Sequence, residues 1–335
     1  MCINIPLDIL DLYSENKHFL QLGNIAKAAT TEGEIEIISS APGSFNGSSQ
    51  STLLDGRVLV TGEGNAVASQ NNVRIYDPKA DVWTYGLSMP YNNTYHGQST
   101  LLDGRVLVTG GITSGYTSSA LIYDPTTDSW SYTTSMPQKV AQHGQSTLID
   151  GRVMVTGGTN SDGPQRNVYI YDSINETWSR KRDFPVQSSV SQTTLKDGRV
   201  LAIAQSRAWF YYPDTDTWVE TTGVPIANVY MSLSTLSDGR VLATSEKSYI
   251  EKAAIFNAST EQWTSATTIP DYYITYRTQS TMLDGRVLVN GNFNNIGGAN
   301  YSFIYTFNKS PNITITSPTE NVTFSMLYKS WKEVA

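Results

Sequence analysis

Short stretches rich in Val, Leu, Ile and Thr recur along most of the chain, and clusters of Gly, Pro, Asp and Asn separate them. Such a pattern predicts β-strands joined by tight turns. Residues 98–137 show it in full, with predicted strands at Gln98–Leu102, Arg105–Thr109, Ala120–Tyr123 and Ser129–Thr134. The dipeptide Asp103-Gly104 separates the first two strands and suits a two-residue type I′ hairpin, in which both residues have positive φ.

The tetrapeptide Asp-Gly-Arg-Val marks six copies of this four-strand unit. It begins at Asp55, Asp103, Asp150, Asp197, Asp238 and Asp284, with spacings of 48, 47, 47, 41 and 46 residues. The first five copies continue to a tryptophan that has an aromatic residue seven positions before it, namely Trp83, Trp130, Trp178, Trp218 and Trp263. Four strands in a period of this length are typical of a β-propeller blade. Because the arginine recurs in every copy, we expect it to form a structural ion pair.

The two ends of the repeated region complement each other. The sixth copy has three predicted strands, at 280–282, 286–289 and 302–305, and no tryptophan follows the third. Ahead of the first copy, Glu34–Ala41 stands where a fourth strand would end the preceding blade. We predict that this segment completes the sixth blade, since an open ring would leave unpaired strand edges. The alternative is that 34–41 is only a linker.

Three features resemble kelch repeats: the doublet Gly110-Gly111 after the second strand, the tyrosine and tryptophan seven residues apart, and the four-strand period. The resemblance covers about 34–307, and the run Asp-Gly-Arg-Val-Leu-Val-Thr-Gly-Gly is most similar to the galactose-oxidase-like branch of that family. Only the second and third copies carry the glycine doublet. The expected fold is an all-β, six-bladed kelch-type β-propeller with four antiparallel strands per blade, closed by an N-terminal strand. The tryptophans are expected to pack between neighbouring blades.

The chain therefore divides into three predicted parts. Residues 1–33 form an N-terminal extension with a short helix, and residues 34–309 form the propeller. Residues 310–335 resemble the opening strand of an immunoglobulin-like domain and are too few to complete one, since such a sandwich needs about 100 residues. We expect a truncated immunoglobulin-like segment or a tail there.

The first strand of each blade is expected to lie nearest the propeller axis, so the residues just before it surround the mouth of the central channel. These positions hold Tyr95, His96, His143, Tyr230, Tyr276 and Arg277, which we predict to form a binding rim. The pair Tyr95-His96 is similar to a copper-holding pair of galactose-oxidase-like enzymes. The resemblance also implies a cysteine joined to a second tyrosine, whereas the single cysteine, Cys2, lies outside the blades. We therefore expect no catalytic residue, metal or cofactor; the alternative for the two histidines is a polar channel lining bonded to water.

Composition narrows the class of partner. The formal net charge of −7 argues against nucleic acid and against an anionic membrane surface as the main partner. No run of 18 apolar residues is present, and eight Asn-x-Ser/Thr sequons leave the compartment open. The favoured hypothesis is a monomeric, non-catalytic binding module for a protein or glycan ligand. The alternatives are an inactive or fragmentary homologue of galactose-oxidase-like copper radical oxidases, and a sugar-modifying propeller.

Overall fold

The structure is a computed structural model that describes residues 4–5, 33–39, 43–62, 71–226, 231–245, 253–267, 274–293, 300–307 and 313–314. The chain forms two compact units, one of Ile35–Thr306 and one of Met1–Glu34 with Phe307–Ala335. In the second unit, β1 (Asn4–Ile5) pairs antiparallel with β28 (Ile313–Thr314). The predicted N-terminal helix and immunoglobulin-like segment lie otherwise outside the described residues. Within the described residues, no helix has the length and apolar character needed to cross a membrane.

Six four-stranded antiparallel sheets form the unit Ile35–Thr306. Blade 1 consists of β3 (Ser49–Thr52), β4 (Val58–Thr61), β5 (Val73–Asp77) and β6 (Val82–Tyr85). Blade 2 consists of β7 (Gly97–Thr100), β8 (Val106–Thr109), β9 (Ala120–Asp124) and β10 (Ser129–Thr133). Blade 3 consists of β11 (Gly144–Thr147), β12 (Val153–Thr156), β15 (Val168–Asp172) and β16 (Thr177–Lys181), and its loop carries a hairpin of β13 (Thr159–Asn160) and β14 (Gly163–Pro164).

The remaining blades repeat this order. Blade 4 consists of β17 (Ser191–Thr194), β18 (Val200–Ala204), β19 (Arg207–Tyr212) and β20 (Thr217–Thr221). Blade 5 consists of β21 (Met231–Thr235), β22 (Val241–Ser245), β23 (Ala253–Asn257) and β24 (Gln262–Ser265). Blade 6 consists of β25 (Ile274–Thr281), β26 (Val287–Phe293), β27 (Asn300–Thr306) and β2 (Glu34–Ile38). The predicted six-bladed, all-β propeller is confirmed.

The N-terminal strand closes the ring as predicted. In blade 6 the strand order is β2-β27-β26-β25, so β2 is the outer strand beside β27. Ile38 packs against a buried cluster that joins Val58 and Val60 of blade 1 to Leu288 and Ile304 of blade 6. The first strands of all six blades contact one another in sequence around the axis, including β25 with β3. The core therefore lies between adjacent blades, where the second and third strands are almost wholly buried.

A buried glutamine joins most blades to the blade before them. Gln98, on the first strand of blade 2, donates from Nε2 to Ser51 Oγ at 2.9 Å and to Leu59 O at 3.1 Å, both in blade 1. Its Oε1 accepts a hydrogen bond from Thr61. Equivalent Nε2 bonds to the preceding blade are made by Gln50, Gln145, Gln192 and Gln279. These bonds span the interface nearest the axis, where both partners are shielded from water.

The interface between blades 4 and 5 replaces this polar contact with an apolar one. Leu233 stands where the other blades have glutamine, and Ile203 stands where blade 1 has Thr61. Ile203 is 2% exposed, and Leu233 packs against the same cluster. Replacing both partners of a buried hydrogen bond by apolar groups is energetically close to neutral, whereas replacing one is costly. Leu233 and Ile203 therefore replace both partners of the buried bond together, which avoids leaving one polar group unpaired.

At the outer radius, aromatic residues tie each blade to the preceding one. Trp130 Nε1 of blade 2 donates to Leu87 O at 2.8 Å, just beyond the last strand of blade 1. Trp83 makes the same bond to Ser39 O at 2.9 Å, immediately after β2. The tryptophans are half-buried, whereas the aromatic residue seven positions before each of them is fully buried, as Tyr123 is at 1% exposure. The tryptophans thus lie between blades as expected, with more surface exposed than a core residue.

The Asp-Gly turns differ from the predicted type I′ hairpin. Gly56 N donates to Leu53 O at 3.0 Å, and Leu53 N donates to Arg57 O at 2.8 Å, which defines a three-residue loop ending in a glycine bulge. Only the glycine has positive φ, 94° at Gly56. Asp55 stays at ordinary φ because its carboxylate holds the turn, accepting from Arg57 N at 2.9 Å and from Arg57 Nε at 2.8 Å. The predicted structural role of the arginine is confirmed.

Removing residues 1–42 deletes β2 and the acceptor of the Trp83 bond. We expect the melting temperature to fall by about 5 °C or more, because blade 6 then exposes the edge of β27. The matched control lacks residues 1–32 and keeps β2. Circular dichroism melts of the two truncated chains make the comparison, and equal melting temperatures would contradict closure by β2.

The importance of the glutamine contact can be tested by introducing the apolar pair of blades 4 and 5 at the interface between blades 5 and 6. Gln279→Leu should lower the free energy of unfolding by about 1–3 kcal/mol, since it leaves the buried hydroxyl of Thr244 without its acceptor. Adding Thr244→Ile recreates the Ile203–Leu233 pair and should return part of that loss. Urea unfolding of the single and double variants measures both effects. A double variant that is less stable than the sum of the two single changes would refute the argument.

Candidate functional site

The connections between blades gather at one end of the propeller, which we call the channel-mouth face. In the described part of the chain, the linkers before the first strands of blades 1 to 4 are bonded to one another in order. Tyr95 N donates to Gly47 O at 2.7 Å, Gln142 N donates to Tyr95 O at 2.9 Å, and Val190 N donates to Gln142 O at 3.4 Å. The linkers thus form a continuous hydrogen-bonded rim over four blades.

Two non-glycine residues of this rim have a left-handed backbone conformation. Gly47, Tyr95 and Gln142 stand at the same position of the repeat and have φ values of 66°, 56° and 53°. A left-handed conformation is ordinary for glycine and unfavourable for a bulky residue such as tyrosine. Residues held in such conformations are frequent at binding sites, where the surrounding structure enforces them. The linker-to-linker bonds supply that enforcement here.

The rim side chains are polar and partly accessible. Tyr95 is half-buried, and its hydroxyl donates to Asn46 Oδ1 at 3.0 Å. Gln142 is half-buried, and the exposed Ser189 donates to Gln142 Oε1 at 3.4 Å. Gln142 and Ser189 were not among the predicted rim residues. The signal that would have found them is position alone, since both stand eight residues before a turn aspartate, as Tyr95 does.

His96 and His143 lie beneath the rim, at 4% and 7% exposure. His96 Nε2 is 2.8 Å from Thr61 Oγ1, and His143 Nε2 is 3.0 Å from Thr109 Oγ1. Each threonine hydroxyl donates its proton to a glutamine carbonyl oxygen, at Gln98 and Gln145. Because the hydroxyl proton is used there, each threonine oxygen accepts from the imidazole, which carries its proton on Nε2.

Burial keeps both imidazoles neutral. Desolvation, with a smaller contribution from the nearby His143, lowers the pKa of His96 to about 3. Desolvation likewise lowers the pKa of His143 to about 4, against a smaller opposing effect of the bond to Gln145. The Nδ1 atoms of both rings are buried without a hydrogen-bond partner in the protein. The two histidines therefore belong to the hydrogen-bonded layer under the rim and present little surface to a ligand.

The described residues do not fit the copper site that the resemblance implies. Among them no three His, Cys, Asp or Glu side chains come together as a set of metal ligands. The Nε2 atom of His96 is already bonded to Thr61, and the cysteine required beside the second tyrosine has no counterpart in the described blades. Of the other predicted rim residues, Tyr230 and the side chains of Tyr276 and Arg277 lie outside the described part of the chain.

The neutral histidines predict a pH dependence of stability. An unfolded histidine has a pKa near 6.5, so the unfolded chain begins to bind protons below about pH 6.5. In the folded chain the same histidines stay neutral down to about pH 4. Stability should therefore fall as pH decreases through this window, by up to about 1.4 kcal/mol per pH unit for each histidine. Urea unfolding between about pH 5 and about pH 7 measures the slope.

His143→Val is the matched variant for this measurement, because Val190 stands at the equivalent position of blade 4. Its slope should be smaller than that of the native chain by the contribution of one histidine. An identical slope in the variant would mean that His143 is not the titrating group.

Comparison with known proteins supports the fold assignment. The model of the Kelch motif family matches residues 95–137 and 145–185. A comparison with curated proteins finds no match. Among solved structures, 722 chains match. One is described as a novel fungal alcohol oxidase with catalytic diversity among the AA5 family, in complex with copper; it is 16% identical, with a TM-score of 0.55.

That alignment covers 78% of this chain and 62% of the oxidase, so this chain spans less than two thirds of the oxidase's length. At 16% identity the likeness concerns the fold. Together, the sixfold repeat, the six four-stranded blades and the two kelch matches show a six-bladed β-propeller that contains kelch motifs and shares its fold with this oxidase.

Proposed function

We propose that the protein is a non-catalytic binding module that takes a protein or glycan ligand at the channel-mouth face. The observation that carries the proposal is the rim itself: Tyr95 and Gln142 are held in strained left-handed conformations by bonds between linkers. A rigid rim loses little entropy on binding, which is how preorganised sites gain affinity. Kelch propellers generally mediate protein interactions, in keeping with this assignment.

The chemistry of the rim suits a neutral, hydrogen-bonding ligand. Tyr95 offers an aromatic face and a hydroxyl, Gln142 offers an amide, and Ser189 offers a hydroxyl, all at the same level of the repeat. Tyrosine, serine and amide side chains are the usual contact residues of binding loops because they combine contact area with adaptable hydrogen bonds. Peptide amides and sugar hydroxyls both match this set. Tyr230, Tyr276 and Arg277 complete the rim in this proposal, and Arg277 would meet a carboxylate in bidentate fashion.

The second candidate is an inactive or fragmentary homologue of a copper radical oxidase. It is favoured by the pair Tyr95-His96 and by the fold shared with a fungal alcohol oxidase of the AA5 family. Against it stand the buried His96, whose Nε2 is bonded to Thr61, and the lack of a blade cysteine in the described chain. We expect the protein to act as a monomer without a cofactor.

Screening the folded protein against a glycan array and a displayed peptide library tests the binding module. We expect ligands whose affinity drops about tenfold or more in Tyr95→Ala, because the ring supplies the central contact area. Tyr132→Ala is the matched control, since Tyr132 is 68% exposed on β10, an outer strand. If every ligand found binds Tyr95→Ala as well as the native protein, the rim is not the site.

The same protein preparation tests the second candidate function, that of a copper radical oxidase homologue. After loading with copper and an oxidant, the native protein should release no peroxide from alcohols, sugars or aldehydes. Turnover that disappears in Tyr95→Phe would replace the binding module with an oxidase.

A further inference from the structure

The end of the propeller opposite the channel-mouth face carries the Asp-Gly turns, and we call it the turn face. The residue just before each turn aspartate projects from this face. In four blades that residue is large and apolar, and it is exposed: Leu54 at 59%, Leu102 at 64%, Ile149 at 67% and Leu283 at 66%. The residue one position earlier is the one that enters the core, as Leu53 does at 1% and Leu101 at 2%. The exposed set is therefore not part of the folded core.

These four side chains follow one another around the axis. Each reaches across to the turn glycine of the next blade, so that a methyl group placed on Gly104 would lie 3.1 Å from Leu54 Cδ1, and one on Gly151 would lie 2.8 Å from Leu102 Cδ1. Leu283 of blade 6 approaches Gly56 of blade 1 in the same way, at 3.5 Å. Blades 6, 1, 2 and 3 thus share one apolar band around the axis, which we call the apolar arc.

The apolar arc covers four of the six blades and is interrupted at blades 4 and 5. At the same position blade 4 has Lys196 and blade 5 has Ser237, and both reach the next turn glycine as the apolar residues do. Lys196 Nζ also donates to Ser237 O. The fold therefore accepts polar residues at this position, and it does not require the four apolar ones. Single exposed apolar residues are common on protein surfaces, whereas a contiguous exposed band marks an interaction site.

Charge around the arc is predominantly negative. The turn aspartates nearest the arc are neutralised within their own turns, as in the ion pair between Arg57 Nη2 and Asp55 Oδ2 at 2.7 Å. Farther from the axis, the turns between third and fourth strands contribute Asp77, Asp81, Asp124, Asp128, Asp172, Glu176, Asp214, Asp216 and Glu261. Lys79 is the one cation in those outer turns that the structure describes. A partner on this face meets apolar side chains first and carboxylates at the periphery.

A cavity lies beside the arc where blades 6 and 1 meet. Its volume is about 460 Å³, and its walls are formed by Met282, Leu283, Asp284 and Arg286 of blade 6 with Asp55, Gly56, Arg57, Asp77, Pro78 and Lys79 of blade 1. It is open at the turn face and continuous with the exposed side of Leu283. Six of its ten lining residues are charged, so the cavity is a polar recess at the edge of the arc.

We propose that the turn face is a second interaction surface, on which the apolar arc docks a protein segment whose large apolar side chains are flanked by Lys and Arg. The arc receives the apolar side chains, and the acidic outer turns receive the cations. An amphipathic helix with basic flanks has this combination. The inference is independent of the proposed ligand site, because the two sites lie at opposite ends of the blades.

Charge also argues against two other occupants. A second copy of this chain docked through the same face would set one acidic periphery against another, and opposed like charges disfavour such a complex. An anionic membrane would repel the periphery for the same reason. A basic partner is attracted by it at long range, so binding should weaken as salt screens the charges.

The test uses the full chain and a defined probe. The probe is a peptide of about 14 residues made of Leu and Lys, with Leu at helical spacing, and the control peptide has Glu in place of every Lys. The loss variant is Leu54→Ser with Leu102→Ser, which copies Ser237, and the gain variant is Ser237→Leu, which extends the arc into blade 5. Tyr132→Ser is the matched control, since it removes an exposed residue from an outer strand.

Fluorescence anisotropy should show binding of the Lys peptide that weakens about tenfold in the loss variant and tightens in the gain variant. Binding should weaken between about 20 mM and about 300 mM salt, and Tyr132→Ser should bind as the native chain does. Equal binding of the Glu peptide, or native affinity in the loss variant, would overturn the proposal. So would a dimer, detected by sedimentation of the native chain, that the loss variant does not form.

Discussion

Most neighbouring blades meet at the axis through a buried glutamine side chain, which at its fullest satisfies three buried polar groups at once. In blade 2, Gln98 bonds to Ser51, to the carbonyl of Leu59 and to the hydroxyl of Thr61. Because these groups are shut away from water, leaving any of them unpaired would be costly, so the contact sets the relative position of two first strands. The packing of the second and third strands, the bonds of the tryptophans and the order of the linkers all depend on that position.

The same contact explains why the histidines lie where they do. Thr61 uses its hydroxyl proton for Gln98, which leaves its oxygen to accept from His96, and the arrangement repeats at Thr109, Gln145 and His143. The imidazoles thereby extend the glutamine layer toward the channel mouth instead of lining the rim. The residue before each histidine lies in the rim at positive φ and is bonded to its neighbour's linker.

The two ends of the blades offer different chemistry. The channel-mouth face presents a polar, strained rim of linker residues, whereas the turn face presents an apolar band within an acidic periphery. The turn glycines make the band continuous, since the absence of a side chain at Gly104 and Gly151 lets Leu54 and Leu102 lie flat across the boundary between blades. The two proposed sites lie at opposite ends of the blades, so their ligands would not compete.

The sequence by itself determined the number of blades, the order of strands and the closing role of β2, because each follows from a repeat that recurs in phase. It also placed Tyr95 and His96 at the channel mouth. Only the tertiary structure decided that His96 is buried against Thr61 of the neighbouring blade, whereas Tyr95 is half-buried. It likewise decided the turn type, which the bond from Arg57 to Asp55 sets, and the continuity of the apolar arc. The position of a residue within the repeat fixes its place along a strand. Which side chains contact one another depends on how adjacent blades pack.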